Sequence, residues 1–175
     1  RLDPLTVDEI PKSMFTLEDL LIYGSLPAIL NERDKSAKNT DLQSYVSTYL
    51  EEEIRAEAVV RSVGSFSRFL EFAAIESGNI VNFSKISQDV GVAHTTIAAY
   101  YEILLDCLVA ERIEPLTKST HRKRLTKSAR FLIFDLGVRR LCAGDGSQFS
   151  TERMGQLFEQ FIGLELIRMH RHSRS

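Results

Sequence analysis

The chain has 175 residues, 43% of them hydrophobic and 26% charged, with a formal net charge of −2. That composition supplies a real core and excludes a polycation, so a nucleic-acid contact has to come from a local patch. Two cysteines, Cys107 and Cys142, are too few for a disulfide framework or a metal cage and read as buried thiols. No apolar run approaches the roughly 20 residues that span a bilayer. The expectation is a cytoplasmic protein with no membrane partner.

The opening "RLDPLTVDEI" reads as a strand-like edge running into a helix. Thr16 to Tyr23 is an amphipathic helix with Leu17, Leu20 and Leu21 on one side and Thr16 as its cap. "YGSLPAIL" follows, where Gly24 and Pro27 break the periodicity, and the polar "NERDKSAKN" (31–39) reads as a surface loop. From Thr40 or Asp41 a long helix is predicted to about Arg61. Leu42, Tyr45, Val46, Tyr49, Leu50 and Ile54 recur at helical spacing, and Glu51, Glu52, Glu53, Arg55 and Glu57 lie on the other face.

A further helix is predicted over Ser65 to Glu76, with Phe66, Phe69, Leu70 and Ala73 inward and Gly78-Asn79 ending it. A short helix from Ser84 to Val90, a turn at Gly91 and a helix from Ala93 to Leu108 come next. Ile97, Tyr100, Tyr101, Leu104 and Leu108 are assigned to the core. "ERIEPL" and "RFLIFDL" read as two strands joined by a loop, Gly137 to Cys142 as a helical turn, and Arg153 to His170 as a strongly amphipathic helix. The fold class expected is mainly α with a small β-hairpin. Helices followed by a hairpin have the order of a winged helix-turn-helix, with the hairpin loop as the wing.

Six landmarks in order carry a family resemblance. They are "RLDPLTVDEI", "YGSLPAIL", "YVSTYLEEEIR", the helix-turn-helix, "RFLIFDLGVRRLCAG" and "GQLFEQFIGLELIR". Together they resemble the domain found downstream of the ATPase core in bacterial and archaeal AAA-type ATPases. The resemblance implies three parts. Residues 1–62 are a helical region that follows an absent ATPase core, 63–145 a winged helix-turn-helix, and 146–175 the start of a truncated C-terminal domain. The start at Arg1 and the ending "MHRHSRS" are expected to mark a piece of a longer protein. That parent is expected to be an ATPase using ATP and magnesium, continuing into a domain similar to restriction-endonuclease folds. This piece contains no G-x-x-x-x-G-K-[ST] stretch and is expected to need no cofactor and to catalyse nothing itself.

Two candidate sites follow. By resemblance, Gly24, Leu26 and Pro27 form a turn that touches nucleotide in the parent. The alternative is that the turn merely stops one helix and starts another. The second site is nucleic-acid binding by Thr95 on the helix-turn-helix and by Lys118, Arg122, Lys123, Arg124 and Lys127 on the wing, which with Arg130 and His121 face no acid between Thr117 and Arg130. The recognition helix departs from a base-reading pattern, because Ala98 and Ala99 stand where Arg, Asn, Gln or Lys would reach base edges. Glu102 and Asp106 would repel phosphate. Three readings of the wing stay open: a DNA or RNA backbone clamp, a solvated hairpin tip, or a protein-docking or self-association element. The Glu51 to Glu57 run reads as a solvated helix face. The four histidines, His94, His121, His170 and His172, show no metal-ligand spacing. Glu159 and Glu165, six apart on a helix, do not share a face.

Overall fold

The computed structural model describes residues 4–50, 63–115 and 129–173. Over these residues the chain is mainly helical with one small antiparallel hairpin. The expected N-terminal strand edge is replaced by two 3-10 turns, Val7–Glu9 and Lys12–Met14. The reason is local: the Thr6 N–H and hydroxyl both donate to Glu9 Oε2 at 2.8 Å, so the turn satisfies its own polar groups without a strand partner.

Helix α1 (Leu17–Tyr23) starts as the sequence indicates. Thr16 accepts the Asp19 N–H at 3.1 Å, and the Asp19 carboxylate accepts the Thr16 N–H and hydroxyl. Gly24, at φ 76°, ends it, and Pro27 opens α2 (Pro27–Asn31). Helix α3 (Lys35–Ser44) begins inside the stretch expected to be a loop. Asp34 caps it by accepting the Ala37 N–H at 2.8 Å, and only Lys38 and Leu42 are buried along it, so apolar periodicity could not reveal it. It runs on as a π-helical turn, Tyr45–Leu50. The remainder of the expected long helix, with the Glu51 to Glu57 face, lies outside the described residues.

Helices α4 (Val63–Ile75), α5 (Phe83–Val90) and α6 (His94–Asp106) follow. Asn82 caps α5 by accepting the Lys85 N–H, and Gly91, at φ 80°, turns the chain toward α6. Leu108 corrects the assigned core. It sits at φ 59° and is 44% exposed, while Val109 is buried in its place. This left-handed residue reverses the chain from α6 into the hairpin, which swings its side chain outward. Cys107 and Cys142 are half-buried rather than fully buried.

Strands β1 (Ala110–Ile113) and β2 (Arg130–Ile133) pair antiparallel, with Ala110 opposite Ile133 and Ile113 opposite Arg130. Ile80 adds a bridge to Arg130. One face of the hairpin puts Phe131 against Tyr101 of α6, with ring centroids 4.2 Å apart. The other face puts Leu132 into a cluster with Leu157, Phe161 and Leu164 of α8 (Thr151–His172). Between them α7 (Leu136–Cys142) touches α1, α4, β2 and α8, and its Val138 is fully buried. The larger apolar cluster joins Ile22, Ile29 and Leu42 to Phe66, Phe69, Ile97, Tyr100, Leu104 and Ile133.

Candidate functional site

Helix α6 presents its exposed surface where sequence periodicity places it. Ile97, Tyr100, Tyr101 and Leu104 are buried, which leaves His94, Thr95, Ala99 and Glu102 exposed and Ala98 half-buried. A groove runs between this helix and the hairpin, lined by Asn82, Phe83, Ser84, His94, Glu102 and Arg112. Arg112 in its lining and Lys85 on neighbouring α5 are engaged with acids. Arg112 meets Glu114 at 2.6 Å and Glu102 at 3.3 Å, and Lys85 meets Glu76 at 3.5 Å. All are exposed pairs that solvent screens. Lys118, Arg122, Lys123, Arg124 and Lys127 lie outside the described residues, on the segment that connects β1 to β2. Arg130 sits at the base of the hairpin, where it donates to the Gly78 carbonyl at 3.2 Å and pairs with Glu159 at 3.1 Å.

The Gly24 turn is built differently. Gly24 and Ser25 are buried, Leu26 is half-buried against the larger core and Pro27 is exposed. The fully buried Asp135 carboxylate accepts the Ser25 N–H at 2.8 Å, the Gly137 N–H at 2.9 Å and the Val138 N–H at 3.1 Å. It thereby caps α7 and clamps the turn with one side chain. Burial pushes the Asp135 carboxyl above its usual range, opposed by these N–H donors and by the Arg168 guanidinium nearby. Arg168, also buried, donates to the Phe134 carbonyl at 2.7 Å, the Ser25 hydroxyl at 3.1 Å and Glu165 at 3.1 Å. Glu165 in turn accepts the Val7 N–H at 2.9 Å, tying the N-terminal turns to α8. Arg168 pairs with Glu165, and Arg168 and Asp135 satisfy the backbone groups around the turn, so the cluster holds the turn by pairing rather than by exposing charge.

Sequence reasoning did not single out Asp135, Arg139, Arg140 or Arg168. Arg139, with no exposure, donates to the Ala74 carbonyl at 2.8 Å, and Arg140 to the Ile22 carbonyl at 2.8 Å. The available signal was the placing of three charges, "D" and "RR", inside the apolar run "RFLIFDLGVRRLC", where charges have to be paired to be tolerated. Glu159 and Glu165 part company as their spacing requires, the first exposed and the second buried. Of the four histidines, His94, His170 and His172 are exposed and His121 lies outside the described residues. Among the described residues no group of three His, Cys, Asp or Glu could hold a metal ion. No described helix is long and apolar enough to cross a membrane.

Comparison with known proteins adds family context. A family model described as a domain of unknown function, DUF8612, matches residues 14–148. Two curated proteins, the uncharacterized Rv2008c of Mycobacterium tuberculosis and the uncharacterized Mb2031c of Mycobacterium bovis, are each 24% identical over 164 residues. The match covers 92% of this chain and 36% of theirs, so the chain spans about a third of the length of these relatives. No solved structure matches it.

Proposed function

The chain belongs to the DUF8612 family of domains of unknown function, and from that premise we propose that it is a non-catalytic regulatory or adaptor segment that binds nucleic acid through a basic wing. In this reading α4, α5, α6 and the hairpin are a winged helix, and residues 116–128 are its wing. The observation that carries it is the charge. A chain of net charge −2 places Lys118, Arg122, Lys123, Arg124 and Lys127 on one hairpin connection that contains no acid. Such a loop grips phosphate backbone without reading sequence, and Thr95 is exposed at the start of α6, next to His94 of the groove lining. Ala98 and Ala99 offer no hydrogen bonds to base edges, so the contact is sequence-tolerant.

The segment would work within a AAA-type ATPase parent, a reading that rests on the order of the sequence landmarks and is compatible with relatives nearly three times as long. ATP and magnesium would belong to the parent's core. Gly24 and Ser25 are buried and supply no phosphate donor, so the turn would offer a nucleotide only the apolar edge of Leu26 and Pro27. A second reading has its own observation. α6 carries no Lys or Arg, and the nearby Arg112 and Lys85 are engaged with carboxylates, which favours a protein partner or self-association.

Titrating fluorescent duplex and single-stranded DNA across a salt series separates the two. The wing reading expects binding that weakens with salt at a log–log slope of about −4. The triple change R122A/K123A/R124A should reduce that slope by about 2–3, since each phosphate contact contributes about 0.9. No binding at low salt would sink the wing reading and leave the protein-docking one.

A further inference from the structure

We propose that α8 is a homodimerisation helix, pairing antiparallel with α8 of a second copy of this chain. The helix is apolar on two faces and its own fold uses only one. Leu157, Phe161 and Leu164 are buried against α1, β2 and α7. On the other side Phe158 is 43% exposed, Ile162 41%, Leu166 62% and Met169 50%. Together with Gly155 these positions are spaced 3, 4, 4 and 3 apart, a 3.5-residue repeat that keeps them within an arc of roughly 80° at about 100° per residue. Ile113 of β1 extends the same surface, sharing with Ile162, Gly163 and Leu166 a groove rimmed by Arg153, Gln156 and Glu159.

The stripe is complementary to its own reverse. An antiparallel pair centred on Ile162 sets Ile162 against Ile162, Phe158 against Leu166, and Gly155 against Met169. Gly155 has open space around it, with nothing within 4 Å of the position a Cβ would take, so it leaves room for the long Met169 side chain. A parallel pair would instead stack Gly155 on Gly155 and leave a gap. Polar placement agrees with the antiparallel sense. Glu152 and His170, both exposed, lie on one flank of the stripe at opposite ends, and reversal brings the Glu152 carboxylate of each copy toward the imidazole of His170 of the other. The helix dipoles also oppose favourably. The exposed apolar area of the stripe and Ile113 is on the order of 400 Å², the size of a functional patch on a monomer and about half the surface each partner contributes to a standard interface. This inference stands apart from the nucleic-acid reading, since it rests on α8 and Ile113 and uses none of residues 116–128.

Sedimentation velocity of the purified chain without nucleic acid, at concentrations up to about 100 µM, tests it. Wild type is expected to dimerise. Single variants L166E and F158K should weaken the dimer at least about 30-fold, the effect of a 2 kcal/mol interface residue, while keeping the wild-type far-UV circular dichroism. The double variant F158K/L166E should dimerise again, because antiparallel pairing sets position 158 of each copy against position 166 of the other, so that each introduced cation meets an introduced anion. A monomeric wild type, or a dimer indifferent to both single variants, would overturn the proposal. Failure of the double variant to recover would overturn the antiparallel register.

Discussion

Gly24 and Gly91 share a positive φ, 76° and 80°, but differ in ψ, −164° against 33°, and have very different surroundings. A Cβ at Gly24 would fall 2.0 Å from Asp135 Oδ1, whereas at Gly91 it would meet nothing within 4 Å. G91A should therefore cost only the strain of a left-handed alanine, about 1 kcal/mol. G24A adds a collision with the carboxylate that clamps the turn and should cost at least about 3 kcal/mol. Urea denaturation of the two variants checks this, and equal costs would mean that the Asp135 clamp is not a close contact. The glycine itself was legible as a periodicity breaker. Its collision partner was not, because Asp135 is 110 residues from Ser25 in the chain and only packing brings it to the turn.

At the scale of elements, apolar periodicity located helices and their faces well, and Thr16 was legible as a cap. Thr16, Asn82 and Ser150 all cap helices that the apolar pattern also indicated. Asp34 caps one that the pattern missed, since α3 turns mostly polar residues to water. The Thr16–Asp19 box makes a specific expectation. Burial pushes the Asp19 carboxyl up, but the bonds from the Thr16 hydroxyl and N–H outweigh it and hold the carboxyl below its usual range. A depressed folded value means stability that is present above the unfolded value, about 3.9, and is lost as pH falls through the folded one. T16A should cost about 1 kcal/mol at neutral pH, and its difference from wild type should shrink as pH falls below about 3.9. A difference in melting temperature that stays constant down to about pH 3 would contradict this. The hairpin was legible from its two apolar runs, with strands a few residues shorter than the runs suggested, because a two-stranded ladder ends where its partner does.

At the scale of the molecule, α8 joins parts that the sequence suggested separating. Leu157 is fully buried in a cluster with Leu20 and Leu21 of α1, Leu132 of β2 and Leu136 of α7. L157A should therefore lower stability by about 2–5 kcal/mol. It should shift far-UV and tyrosine near-UV circular dichroism signals by the same amount, as expected of one cooperative unit. Two separated transitions would argue for independent parts. The sequence by itself determined the helical class, the hairpin, most helix starts and the inward residues of α4 and α6, because caps and periodicity act over a few neighbouring residues. It also marked the concentration of cations between the strands, since charge is a property of composition. Only the tertiary structure decided that Asp135, Arg139, Arg140 and Arg168 are interior staples, and that α8 covers one apolar face while leaving another open. Whether a charge is tolerated in the interior depends on donors and acceptors from distant segments, and whether an apolar face is covered depends on what packs there. Neither is a property of the local sequence.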